Sequence, residues 1–386
     1  MHQDIIFSIF LIFAGATLLA TFALFTRQPV LIAYIVLGAI AGPYGAGWVE
    51  HPEELEEMSH IGIIFLLFLL GLDMQPRALI AVLRQASTVA MISSALFFMV
   101  GYSVALAFGF PSMDAIVTGL AMMFSSTIIG LKLLPTTVLH HKHMGDLMVG
   151  LLLLQDMLAI FTLIFLGVLG GKADIPVWQP FVALPLLIGL SYVLVRYVLL
   201  PLITRFDRYQ EYLFILAIGW CLTMAEGAKL VGLTHEIGAF IAGVTLATSP
   251  IAQFIAISLK PLRDFFLVMF FFALGAGFDL SMLSGIVVAA SVLAALILVI
   301  KPVTFRLLLG RFSERKPLAW DIGFRLGQIS EFSLLVAFVA VESALLSAEG
   351  SLLIQATAII TFVVSSYVVV FNCPNPIAVK ESLRRD

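Results

Sequence analysis

The chain has 386 residues, of which 61% are hydrophobic and only 12% are charged, and its mean hydropathy is +1.10. A water-soluble domain carries roughly 25% charged residues, so this composition excludes an ordinary soluble protein and places the chain in a membrane. The net charge of −3 excludes little, because the positions of the charges matter more than their sum. The apolar runs are continuous and about 20 residues long, which predicts spanning helices rather than the alternating strands of a membrane β-barrel.

Thirteen hydrophobic segments follow one another along the chain. Their predicted bounds are 5–25, 29–45, 59–73, 87–108, 114–135, 145–170, 179–203, 211–231, 235–250, 262–280, 283–308, 320–344 and 351–372. The second, third, ninth and tenth are short for a hydrocarbon core of ~30 Å, so we expect them to be tilted, kinked or re-entrant. The pattern predicts an all-α polytopic membrane protein, with a single transmembrane domain over residues 1–372 and a short tail over 373–386.

Basic residues are concentrated in the links that follow odd-numbered segments. These links and the tail carry Arg27, Arg77, Arg84, Lys142, Arg205, Arg208, Lys260, Arg263, Arg311, Arg315, Lys316, Lys380, Arg384 and Arg385. The links after even-numbered segments contain few, with Lys172 as the clear exception, and the link 48–58 is acidic. The positive-inside rule then predicts that the N-terminus lies outside and the C-terminus in the cytoplasm. The cytoplasmic cluster His140, His141, Lys142 and His143 is interpreted as a solvated basic turn, with a pH-responsive loop as the alternative.

The sequence indicates no soluble module and no catalytic machinery. No link is long enough for a folded domain, and no nucleotide-binding glycine pattern is present, so ATP-driven pumping by this chain is not expected. Cys221 and Cys373 offer neither a disulfide framework nor metal-type spacing. We therefore predict no cofactor, no metal centre, no nucleic-acid partner and no enzymatic activity.

One carboxylate lies deep inside an apolar segment, where ionisable residues are costly and usually functional. Asp156 is about eleven residues into its segment, roughly 16 Å deep at 1.5 Å per residue. A lone carboxylate there is largely protonated unless a cation or a donor lies beside it, as a site that exchanges a proton for a cation requires. The alternative is a structural partner for a buried base. The neighbouring Gln155 could ligate a cation through its amide oxygen or form a helix–helix hydrogen bond.

Other charged residues lie within or near the segments. Lys301 either snorkels to the interface or pairs with a core carboxylate, where it would compete with a cation. Arg325 and Glu331 are predicted to form a buried ion pair between helices, and direct ion ligation by Glu331 is the less favoured alternative. Glu226 and Lys229, spaced i,i+3 near a segment end, are predicted to form a local salt bridge.

Two segments contain small and hydroxylated residues near their centres, Phe124-Ser-Ser-Thr-Ile128 in the fifth and Gly327-Gln-Ile-Ser330 in the twelfth. Such residues are typical of interrupted helices, because hydroxyls satisfy freed backbone groups and unwound carbonyls can face a cation. The segments are seven apart in order, so they run in opposite directions, as inverted repeats require. The helix dipole ends at such breaks need compensating charge, and Asp156 and Lys301 have the right signs. The candidate residues at the breaks are Ser125, Ser126, Thr127, Gly327, Gln328 and Ser330.

Four runs resemble the monovalent cation:proton antiporter superfamily, and most of all its Kef-type potassium/proton branch. They are Ser125-Ser-Thr127, Leu154-Gln-Asp156, Gly238-Ala-Phe-Ile-Ala-Gly243 and Leu326-Gly-Gln-Ile-Ser-Glu-Phe332. The resemblance implies a homodimer of thirteen-span subunits, each with a mobile core containing two crossing broken helices, and elevator-type alternating access. It also implies that Asp156 takes either the cation or the proton.

The resemblance bears on charge balance and regulation as well. Members with two adjacent acids are typically electrogenic sodium/proton exchangers, whereas Gln155 at the first position is similar to the electroneutral, potassium-accepting members. Kef-type proteins usually continue into a nucleotide-binding regulatory domain. This sequence ends at Asp386, so gating by glutathione or a nucleotide is not expected unless the sequence is truncated or a separate cytoplasmic subunit supplies the control.

The leading hypothesis is therefore an exchanger of potassium or sodium for protons, in the bacterial inner membrane. One rival is a gated potassium channel, but the sequence has no Thr-Val-Gly-Tyr-Gly-like filter run. Another is a sodium-coupled symporter of organic anions, also built on inverted repeats. A binding site for an organic anion would need basic residues inside the apolar segments, and Lys301 is the one basic residue far from an obvious interface. The choice between potassium and sodium remains open from residue types alone.

Overall fold

The computed structural model describes residues 5–26, 28, 30–49, 53–73, 76–126, 143–170, 179–247, 249, 251–278, 282–311 and 316–373. Regular structure in these ranges is helical, and a π-helical turn, Val195–Leu199, joins α7 to α8. The helices are α1 (Ile5–Phe25), α2 (Val30–Ala41), α3 (Glu53–Asp73), α4 (Pro76–Ala107), α5 (Ser112–Met122), α6 (His143–Leu169), α7 (Gln179–Leu194), α8 (Leu200–Arg205), α9 (Gln210–Leu230), α10 (His235–Leu246), α11 (Ala252–Ala276), α12 (Leu283–Arg311), α13 (Lys316–Arg325), α14 (Glu331–Glu342) and α15 (Ala348–Asn372). Each predicted segment contains helix, and seven helices in the described ranges are long and apolar enough to cross a membrane.

Several helices extend beyond their predicted bounds. α3 begins at Glu53, inside the predicted acidic link, and α4 already contains Arg77 and Arg84. α11 contains Lys260 and Arg263, which the sequence placed in a link. Hydropathy detects only the part of a helix that lies in hydrocarbon, whereas backbone hydrogen bonding continues into the interface, where long polar side chains reach water.

The helices pack as two groups. Helices α4–α6 and α12–α15 pack mainly against one another, and so do α1–α3 and α7–α11. We call the first group the core and the second the scaffold. Their interface is apolar: Leu67 and Phe271 of the scaffold belong to the same hydrophobic cluster as Ala159 and Val336 of the core. The two groups therefore meet, in the described residues, along a layer of apolar side chains.

The backbones of α2 and α11 approach each other closely in the scaffold. A Cβ at Gly38 would lie 2.0 Å from Phe272 O, and a Cβ at Gly275 would lie 2.0 Å from Ile35 O. Only glycine allows the two backbones this close. The scaffold thus holds α2 and α11 together as one wall of the interface with the core.

The core contains two similar units of opposite direction, α4–α5–α6 and α12–α13/α14–α15. In each, one long helix comes first and another comes last, with α5 or the pair α13 and α14 between them, and α4 packs on α5 and α6 as α12 packs on α13 and α15. The predicted break at 327–330 is confirmed, because α13 ends at Arg325 and α14 begins at Glu331. The chain also leaves the helix after Met122, ahead of the break predicted at 124–128. Thr127, His140, His141 and Lys142 lie outside the described residues.

Candidate ion-binding site

The two helix breaks cross inside the core and hydrogen-bond to each other. Ser125 Oγ donates to Leu326 O at 2.9 Å, and Ser333 Oγ donates to Ala121 O at 2.5 Å. Both serine side chains are buried. Carbonyls near a helix end lack an intrahelical hydrogen-bond donor. Here, serine hydroxyls from the other segment supply the hydrogen bonds.

The second half of the broken helix starts with a local capping signal. Ser330 Oγ accepts a hydrogen bond from Phe332 N at 3.2 Å, and Ser333 Oγ accepts one from Ser330 N at 3.3 Å. This reciprocal arrangement is a capping box, which satisfies orphan amides at the start of α14. Glu331 is the first residue of α14, where the helix dipole favours a carboxylate.

Gln328 and two hydroxyl residues attach the second break to α15. Gln328 Nε2 donates to Arg325 O at 2.9 Å, and Ser365 Oγ donates to Gln328 Oε1 at 2.7 Å. Ile329 N donates to Thr361 Oγ1 at 3.4 Å. The sequence analysis did not single out Thr361 and Ser365, although their i,i+4 spacing in an apolar segment places two hydroxyls on one helix face.

Lys301 joins the two breaks. Its side chain is 0% exposed, so the interpretation that it snorkels to the interface is wrong. Its Nζ donates to Phe124 O at 2.5 Å in the first break, and to Gln328 O at 3.0 Å in the second. A third bond, 3.2 Å long, reaches Ser125 Oγ. Among the described residues, the hydrogen-bond partners of Lys301 Nζ are neutral oxygens. They differ from the core carboxylate with which the sequence analysis paired Lys301 as the alternative.

Gln155 and Asp156 are adjacent on α6 and are 0% and 3% exposed. Ser125 N donates to Gln155 Oε1 at 3.1 Å. A backbone N–H can only donate, so the amide oxygen faces it. Of the two predicted roles of Gln155, the geometry matches the helix–helix hydrogen bond, since the oxygen holds the first break against α6. Its Nε2 is buried and has no acceptor among the described groups.

The family model for the transmembrane sodium/hydrogen exchanger matches residues 9–372. The chain belongs to the transmembrane sodium/hydrogen exchanger family. The predicted resemblance is therefore confirmed.

K(+) efflux antiporter 4 of Arabidopsis thaliana is 29% identical over 349 residues, which are 87% of this chain and 58% of that protein. The putative cation/proton antiporter YbaL of Escherichia coli is 28% identical over 352 residues, 87% of this chain and 62% of that protein. The chain thus spans about six-tenths of the length of these curated relatives.

A solved structure confirms the fold of this exchanger family member. The sodium proton antiporter MjNhaP1 of Methanocaldococcus jannaschii superposes with a TM-score of 0.68 at 17% identity, covering 94% of this chain and 98% of that one. At this identity the likeness concerns the fold alone. The helical architecture of the described residues is that of this solved structure.

Arg325, in the last turn of α13, has an ion-pair partner that the sequence analysis missed. Its Nε donates to Asp321 Oδ1 at 2.9 Å, and its side chain is 1% exposed. The i,i+4 spacing of these two residues on one helix is the signal that could have found this pair. The interaction of Arg325 with Glu331 stays a prediction.

One predicted salt bridge is wrong. The Glu226 carboxylate lies 3.0 Å from His235 Nε2, instead of pairing with Lys229. α9 ends at Leu230 and α10 begins at His235, so the short link brings the first residue of α10 onto the last turns of α9. The prediction considered only neighbours on one helix.

Proposed function

We propose that this chain exchanges a monovalent cation for a proton across the membrane, one for one, at Asp156. The supporting observation is the burial of this carboxylate in the core, one residue from the glutamine that holds the first helix break. A carboxylate in a low-dielectric interior is stable when a proton or a cation neutralises it. The two ions then compete for one site, which is the basis of exchange.

The mechanism assigns different roles to the residues at the break. Asp156 releases its proton on one side and binds the cation there, with hydroxyl oxygens from Ser126 and Thr127 as further ligands, while Ser125 Oγ keeps its bonds to Leu326 O and Lys301 Nζ. Gln155 acts as a positioning residue, because its oxygen already accepts the Ser125 N–H. Lys301 compensates the negative carbonyl ends of both half-helices.

Movement of the core against the scaffold carries the site across the membrane in this proposal. The separate packing of the two groups and their apolar interface support an elevator-type motion. An empty, charged carboxylate would be costly to move past apolar side chains. Only the proton-loaded or cation-loaded core moves, so exchange is obligatory and electroneutral.

Potassium is the favoured cation. The Arabidopsis relative is named a K(+) efflux antiporter, and Gln155 stands where a second acid would favour electrogenic sodium exchange. The solved structure of similar fold is a sodium proton antiporter, which keeps sodium as the second candidate.

The assembly proposed is a homodimer in the bacterial inner membrane, with the N-terminus outside and the C-terminus in the cytoplasm. The distribution of lysine and arginine supports this orientation.

Proteoliposomes with a trapped pH dye test the function. We expect external potassium, or sodium in the second case, to drive proton movement that choline does not. The rate should not change when an ionophore clamps the voltage. Large single-channel currents without proton movement would replace the exchanger with a channel, and strong voltage dependence would contradict electroneutral exchange.

Substitutions of Gln155 test its positioning role. Gln155→Leu removes the acceptor for the Ser125 amide, and a buried unsatisfied donor costs about 1–3 kcal/mol, so we expect the exchange rate to fall about tenfold or more. Gln155→Glu keeps an acceptor but adds a charge, so exchange should persist and become voltage-dependent. Gln355→Leu on α15 is the matched control, because its amide bonds Ser351 away from the breaks. A Gln155→Leu protein with wild-type rates would remove Gln155 from the site.

A further inference from the structure

An aromatic ring lies close to the buried Lys301 ammonium, and a second ring packs against the first. The centroid of the Phe97 ring on α4 lies 5.1 Å from Lys301 Nζ. Phe305 on α12 meets Phe97 edge to face, with 5.6 Å between centroids and 65° between planes. Both rings are fully buried. Phe305 is also one helical turn beyond Lys301, so the Lys301 stem and the Phe305 ring share one face of α12.

The hydrogen-bond count at Lys301 matches a charged ammonium. An ammonium has three donors and no acceptor, and the Nζ has three oxygen partners, Phe124 O, Gln328 O and Ser125 Oγ. Ser125 Oγ can accept this bond because its own proton goes to Leu326 O. The charge is thus met by three neutral oxygen dipoles and by the face of an aromatic ring.

We propose that Phe97, held in place by Phe305, is a positioning residue that keeps the Lys301 ammonium directed at both helix breaks. Cation–π attraction is strongest when both partners are desolvated, as they are here. Without the ring, the Nζ can retreat along its flexible stem, and the Phe124 and Gln328 carbonyls then lose a common donor. The role of Phe97 in transport rests on the proposed function, whereas its coupling to Lys301 does not.

Graded fluorination of the Phe97 ring tests the electrostatic part of this proposal. Fluorine withdraws density from the ring face while the side chain keeps nearly the same shape. With one, two and three fluorines at position 97, we expect a stepwise fall in the melting temperature of the purified protein and in the exchange rate. The same series at Phe68, a fully buried phenylalanine of the scaffold, should give no such trend. A flat series at Phe97 would overturn the proposal.

A double-mutant cycle separates charge recognition from packing. We expect Phe97→Leu to slow exchange about tenfold and to lower the melting temperature, while Phe97→Trp, which retains a π face, keeps most of the activity. In a Lys301→Met background, Phe97→Leu should cost clearly less in melting temperature. Equal losses in both backgrounds would mean that Phe97 is only a core side chain.

The two readouts distinguish the failure of this inference from the failure of the proposed function. Thermal melting in detergent requires no transport, and the fluorinated series keeps Lys301 intact even where Lys301→Met does not fold. A wild-type protein that moves no protons would refute the exchange function and leave the coupling measurable. Normal exchange with no coupling would refute this inference alone.

Discussion

Replacing Asp156 by asparagine is expected to abolish cation-driven proton movement while the protein stays folded. Asparagine has nearly the same shape, but it can neither release a proton in the accessible pH range nor neutralise a cation. Asparagine is neutral, like the protonated form of the carboxyl in the proposed site, so the substitution adds no charge to a position that is 3% exposed. We expect the exchange rate to fall to the level of empty liposomes, and the melting temperature to stay the same or rise.

The control applies the same chemical change to an exposed carboxylate. Asp264 on α11 has a side chain that is 56% exposed and pairs with its neighbour Arg263. Asp264→Asn should exchange cations and protons at the wild-type rate. Wild-type exchange by Asp156→Asn would refute the proposed site, whereas an unfolded Asp156→Asn protein would assign the carboxylate a structural role.

Replacing Lys301 by methionine is expected to reduce both stability and transport. Methionine fills a similar volume but cannot donate, so three buried oxygens in two different breaks lose their common donor. An unsatisfied buried group costs about 1–3 kcal/mol, and two carbonyls together cost several kcal/mol. We expect the melting temperature to fall by at least about 5 °C and the exchange rate to approach background, because the breaks form the site.

The matched control is Lys229→Met, which removes an exposed lysine near the end of α9. Its melting temperature and exchange rate should equal those of the wild type. If Lys301→Met melted and exchanged like the wild type, other donors would have to satisfy Phe124 O and Gln328 O. Together, the Asp156 and Lys301 variants separate an ion-binding residue, whose loss spares the fold, from one that also supports it.

The positions of the helices and of the second break could be predicted because local composition determines them. Continuous apolar runs of about 20 residues have no stable alternative to helix in hydrocarbon, where every backbone group needs an internal partner. The run Gly327-Gln-Ile-Ser330 departs from this pattern in the middle of a segment, and the chain leaves the helix there. The helix ends were less predictable, because Arg77, Arg84 and Lys260 are compatible with helices that extend into the interface.

The partners of the buried polar groups could not be predicted, because they come from distant parts of the chain. Gln155 accepts from an amide 30 residues away, and Lys301 donates to a carbonyl 177 residues away. Which of two plausible roles each side chain takes depends on how the helices cross. No sequence pattern indicated a role for Phe97, because phenylalanine is common in apolar segments. Its contact with the buried Lys301 ammonium is visible only in the structure.

By itself, the sequence determined that this is a membrane protein, the approximate number of its apolar helices, one interrupted helix and the position of Asp156 in the middle of a helix. Hydrophobicity and backbone geometry act over short stretches, so a linear reading captures them. Only the tertiary structure decided that Gln155 holds a backbone amide, that Lys301 binds carbonyls of both breaks, and that core and scaffold meet along an apolar layer. Hydrogen bonds and aromatic contacts depend on distances of a few ångströms between residues far apart in the chain, and the folded arrangement of helices alone sets those distances.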